Sequence, residues 1–142
     1  MQAQFGKEVL GVVRLNEARK HKEAAADIKE VLANEDDPDT RRKLKQEYKE
    51  ERKKYSSIKN SRWPILTNSK NLKDEKKSAL NTILEEHNDL AVCYAMKEEM
   101  CRLFELTDSE EANKRWITWF EAAKESEIEP LIRFANLKEK RL

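Results

Sequence analysis

Two glycines and three prolines in 142 residues leave this chain few ways to turn. Glycine supplies the left-handed backbone of tight turns and helix ends, and proline sets fixed bends. A multi-stranded sheet needs such turns often, so this chain is expected to be all helical, with few connections. Charge points the same way. Charged residues make up 40% of the chain and apolar residues 38%, where about a quarter charged is usual. Helices with broad solvated faces and a modest core follow from that balance. The length suits one domain, or a small bundle with an extended arm. Disorder is the alternative for so charged a chain. Leu, Ile, Trp and Phe recur at helical spacing over residues 72–142 and exclude it there, while it stays open for residues 14–60.

Residues 4–34 read as one long helix. Val9, Leu10, Val12 and Val13 give it an apolar start, and Ile28, Val31 and Leu32 an apolar end. Gly6 and Gly11 weaken its first turns by roughly 1 kcal/mol each relative to Ala. Pro38 is expected to stop this helix and Asp39 to cap the next. The second helix, residues 40–58, places Leu44, Tyr48, Tyr55 and Ile58 on one narrow stripe. Two long helices joined by a tight turn predict an antiparallel hairpin over residues 1–60.

A loop is expected over residues 55–71, because Pro64 pushes Trp63 toward extended geometry. Residues 61–142 then read as a small four-helix bundle. Its first helix runs over residues 72–87, with Asn71 as cap and Asp74 behind it. Asn88 and Asp89 start the next, which turns Leu90, Cys93, Tyr94, Met100, Cys101, Leu103 and Phe104 inward. Thr107 or Asp108 caps the third, whose core face is Ala112, Trp116, Trp119, Phe120 and Ala123. The last starts near Glu129 with Pro130 in its first turn and buries Leu131, Phe134 and Leu137. No stop signal stands at Leu142, so the chain reads as ending inside a helix.

The net charge of +1 conceals an asymmetry. Residues 41–62 hold ten Lys or Arg against three acids, whereas residues 75–130 hold seven against fourteen. A dipolar molecule with one basic arm follows. Within the arm, Arg41, Arg42, Lys45, Lys49, Arg52 and Lys53 recur at three- and four-residue steps. That stripe can neutralise phosphates. It can equally be the solvated exterior of a coiled coil, with Glu47, Glu50 and Glu51 interleaved. Arg62 and Trp63 can stack on a base or grip a backbone. Alternatively Trp63 plugs one end of the bundle, with Arg62 on helix carbonyls.

Lys97, Glu98 and Glu99 read as a solvated turn. His21 and His87 lack a second ligand at helical spacing, so no metal site is expected. Cys93 and Cys101 would lie about 12 Å apart along a helix, too far for a disulfide, and read as small apolar residues in a reducing compartment. No glycine-rich phosphate loop and no catalytic Ser or Cys arrangement is present. With no apolar run near 20 residues and no signal peptide, a cytoplasmic location is expected.

The order of blocks from Ser61-Arg62-Trp63-Pro64 onward resembles the helical segment of bacterial insertion-sequence transposases of the ISL-three type. The blocks are Tyr94-Ala95-Met96-Lys97-Glu98-Glu99, Trp116-Ile117-Thr118-Trp119-Phe120 and Ile128 to Ala135. Arg62, Trp63, Tyr94, Lys97, Glu98, Trp116, Trp119, Phe134 and Ala135 carry the resemblance. It implies a parent enzyme with an RNase H-like domain and a DDE triad holding Mg2+ or Mn2+. The helical segment would be inserted between the second Asp and the final Glu, so the catalytic acids lie outside this chain and no residue here is catalytic. The segment would need no cofactor of its own. Its expected partners are DNA at insertion-sequence ends, or a partner subunit, with self-association open. A helical protein–protein adaptor with no nucleic-acid role is the competing reading.

Overall fold

The computed structural model describes residues 1–67 and 69–140. Among them there is no strand, and the expected all-helical class holds. The helices are α1 (Gln2–Phe5), α2 (Gly11–Ala33), α3 (Pro38–Lys59), α4 (Arg62–Leu66), α5 (Asp74–Glu86), α6 (Asn88–Phe104), α7 (Ser109–Glu125) and α8 (Glu129–Glu139). A π turn, Gly6–Leu10, joins α1 to α2, and a 3-10 turn covers Ser69–Asn71. A helix continuing to Leu142 lies outside the described residues.

The chain divides into two compact units, residues 1–13 with 63–142, and residues 14–62. The sequence division at 60/61 therefore misplaces the first 13 residues. The reason is apolar: Phe5, Val9, Leu10 and Val13 are buried in the same cluster as Leu90, Met100, Trp119, Leu131 and Phe134.

In the first unit, α5 packs on α6, α6 on α7 and α7 on α8, and the N-terminal segment packs on α6 and α8. Phe5 stands edge-on to Phe134 at 5.1 Å and to Trp119 at 6.0 Å, the offset geometry aromatic rings favour. Trp119 is buried and its indole N–H donates to the Met96 carbonyl at 2.9 Å. Leu131 and Phe134 are buried as expected, but Leu137 and Phe104 are about half exposed. Gly6 permits a close approach, since a Cβ there would lie 2.9 Å from Leu66.

Several helix boundaries depart from the sequence reading. Asp37, not Asp39, caps α3: its carboxylate accepts from the Thr40 N–H and hydroxyl at 3.1 and 2.7 Å. Those bonds hold it below the usual carboxylate range. Pro38 opens α3 instead of stopping α2, which has already ended at Ala33. Pro64 lies within α4 as its third residue. Amide groups of a first turn have no acceptor within the helix, so proline breaks nothing there. The 55–71 segment is thus helical over much of its length. Asn71 ends the 3-10 turn, and Lys73 precedes α5 without a side-chain cap. Asp108 does cap α7, accepting from the Glu110 and Glu111 N–H groups.

Between α7 and α8, Glu127 has φ 63°, the left-handed conformation that helix ends commonly give to glycine. The Ser126 hydroxyl supports the corner, donating to the Ala123 carbonyl at 2.6 Å and accepting from the Ile128 N–H at 3.2 Å. Removing the Cβ relieves the strain of this conformation, so Glu127→Gly is expected to raise stability by about 1 kcal/mol in urea denaturation. A loss of stability would show that the Glu127 side chain contributes more than its backbone costs.

Candidate nucleic-acid interface

The second unit is held by cations at helix ends. Arg41, on α3, donates to the Leu32 and Glu35 carbonyls at 2.7 and 2.8 Å, just where α2 ends. Arg14, on α2, donates to the Ile58 and Lys59 carbonyls at 3.5 and 3.0 Å, where α3 ends. Each helix thus satisfies orphan carbonyls of the other, at the end where the helix dipole favours a cation. Burial, with Arg62 nearby, holds the Arg14 guanidinium below its usual range. Midway, His21 Nδ1 lies 2.6 Å from a Glu51 carboxylate oxygen. Ala18 and Ala25 are buried, and Leu44, Tyr48 and Tyr55 are half-buried on the stripe that ends at buried Ile58.

With that stripe turned inward, an exposed sector of α3 that flanks it is basic. At 100° per residue, Arg42, Lys45, Lys49, Arg52, Lys53 and Lys59 fall within a sector of about 120°. All six are exposed. Asp39, Glu47, Glu50 and Glu51 fall outside that sector, so the acids that interleave in sequence separate on the helix. Lys59 joins the residues expected from sequence; the same 100° count finds it once α3 is known to run past Ile58. Tyr55 lies between Arg52 and Lys59, each 5.8 Å from its ring. Arg41 shares the angle of Lys59 at the sector's edge, but it is half-buried and engaged with carbonyls, so its role is structural.

Arg62 and Trp63 open α4. Trp63 is 70% exposed and does not plug a bundle end. Of the eight candidates, Arg41, Arg42, Lys45, Lys49, Arg52, Lys53 and Arg62 belong to the second unit and Trp63 to the first.

Lys97 was the least expected residue. In place of a solvated turn it sits inside α6, 6% exposed. Its ammonium donates to the Ile65 and Thr67 carbonyls at 3.0 and 2.9 Å and lies 4.3 Å from the Tyr94 ring centre. Burial lowers its pKa, and Glu98 at 3.5 Å opposes that. The lysine therefore fixes the end of α4, the helix that carries Trp63. The sequence signal was its spacing: Lys97 is four residues after Cys93 and three before Met100, both on the buried stripe. Glu99, by contrast, bridges helices. Burial pushes its carboxyl up, but bonds from Arg102 and Arg115 outweigh this and hold it low.

Cys93 is buried and its thiol is pushed up to about 12, chiefly by desolvation. Cys93 and Cys101 are both free thiols. Among the described residues, no three His, Cys, Asp or Glu side chains gather into a potential metal site. No described helix is long and apolar enough to cross a membrane.

Adjacent arginines should separate the structural from the exposed role. Arg41→Ala leaves the α2 carbonyls without their cation and is expected to cost about 1.5–3 kcal/mol. Arg42→Ala, at an exposed position, should stay within about 0.5 kcal/mol of the parent protein. Equal costs in urea melts would refute the assignment.

Residues 13–141 match the sequence model of a family described as Transposase, the DDE transposases of the ISL3 type. The chain is similar to the transposase for insertion sequence element IS1001 of Bordetella parapertussis, 33% identical over 79 residues. That match covers 56% of this chain and 20% of the relative, so the chain spans about a fifth of that protein's length. No solved structure matches.

Proposed function

This chain belongs to the ISL3-type family of DDE transposases, and on that premise we propose that it is a non-catalytic helical segment of an insertion-sequence transposase that contacts DNA. The parent enzyme cuts and joins DNA at insertion-sequence ends, in the cytoplasm. The segment holds those ends, or a partner subunit, in place. The observation that carries this reading is the exposed, acid-free basic sector of α3. Arg62, in the same unit, is a further phosphate contact, and Trp63, in the other unit, is a separate candidate that would act by stacking.

The contacts at 14 with 58–59, 21 with 51, and 41 with 32 and 35 support an antiparallel hairpin for the second unit. The packing series α5 to α8 supports a bundle for the first. The family's chemistry calls for two divalent metals held by carboxylates. The acids among the described residues form no grouping that could hold a metal ion.

The test is a charge reversal, Arg42→Glu with Lys45→Glu, Lys49→Glu and Lys53→Glu, leaving Arg41 in place. At low salt the parent chain should bind duplex DNA and the variant should not, with helix content by circular dichroism unchanged. The same chain with Mg2+ or Mn2+ should show no strand cleavage. Cleavage that persists through purification would overturn the non-catalytic assignment. If parent and variant bind alike, the basic sector of α3 is not the contact; if neither binds, the adaptor reading replaces this one.

A further inference from the structure

We propose that the outward face of α3 grips the sugar–phosphate backbone of duplex DNA without regard to base sequence. This deepens the DNA-contact reading above and rests on it. Four of the six cations in the sector are lysines: Lys45, Lys49, Lys53 and Lys59. An ammonium is a compact point charge that suits a phosphate, whereas the planar fork of Arg and the amide of Asn or Gln are better shaped to read one base edge over another.

The two exposed arginines in the sector have local partners. Arg42 lies 3.6 Å from Asp39, and Arg52 lies over the Tyr55 ring. No Asn or Gln of α3 falls inside the sector. Gln46, at its edge, donates to Glu50 at 3.4 Å. The face therefore supplies charge and offers little to distinguish one base pair from another.

Its dimensions suit a backbone. From Arg42 to Lys59 the cations extend over roughly 26 Å, at 1.5 Å per residue. Each strand of a duplex presents a phosphate about every 3.4 Å of axis. A helix laid along one strand can neutralise about four to six phosphates, which sets a log–log salt slope of roughly −4 to −5. The sequence of an insertion-sequence end must then be read by other residues, while α3 holds whichever duplex lies against it.

The test uses the 142-residue chain and three labelled 25-base-pair duplexes: A·T-rich, G·C-rich and mixed. Fluorescence anisotropy should give dissociation constants within about threefold of one another and the slope stated above. Lys45→Gln, Lys49→Gln and Lys53→Gln together should weaken all three duplexes alike and reduce the slope by about 3. Selection from a randomised duplex library should return no consensus. A consensus bound more than about tenfold tighter, with that preference lost in the triple variant, would overturn sequence independence and leave the DNA-contact reading standing. An unchanged slope in the triple variant would remove α3 as the contact. No binding to any duplex would overturn both readings.

Discussion

A helix must dispose of its last carbonyls, and that requirement organises this molecule. Glycine in the left-handed conformation is the common solution. Both glycines of this chain are spent near its start, at positions 6 and 11. The helix ends are closed by side chains instead. Arg41 closes α2 from the start of the next helix, while Arg14 closes α3 and Lys97 closes α4 from distant parts of the chain. Ser126 does the same for α7, while Glu127 takes the conformation glycine would otherwise supply. Satisfying a carbonyl from another helix also fixes where that helix lies, so one bond serves both end and packing.

This economy explains how cations are divided between structure and surface. Of the 29 Lys and Arg, a few are structural and most are solvated. Arg14 and Lys97 are buried because their charged heads meet carbonyl oxygens; without those partners burial would be costly. The cations left over on α3 have no such task, and their separation from Glu47, Glu50 and Glu51 leaves a face of one sign. In the first unit, Lys97 ties the end of α4 to α6, and Trp63 is presented by a helix that is held from behind.

Much of this was legible in the sequence. The all-helical class followed from the scarcity of turn residues. The buried positions of α7 and α8 followed from spacing, as Trp119, Phe120, Leu131 and Phe134 show. The segment around Pro64 was misread because a proline breaks a helix only beyond its first turn. Residues 1–13 were misassigned because their apolar side chains announce burial but not the partner; Phe5 meets Trp119 and Phe134, more than a hundred residues away. Lys97 was misread because a charge weighs toward solvent until carbonyls are known to face it. In the candidate interface, spacing alone singled out the basic residues of α3 as candidates, and they are exposed. What sequence could not separate was Arg41 from Arg42, neighbours with opposite surroundings.

The family assignment gives the chain a setting, and the face of α3 gives it a proposed means of contact. The most direct measurement is a two-dimensional NMR titration of the 142-residue chain with a 25-base-pair duplex, following lysine and arginine side-chain resonances. The account predicts salt-sensitive shifts confined to Arg42, Lys45, Lys49, Arg52, Lys53, Lys59 and Arg62, with Arg14, Arg41 and Lys97 unmoved. Shifts centred elsewhere, on the exposed Phe104 and Ile117 region for example, or no shifts at low salt, would contradict it.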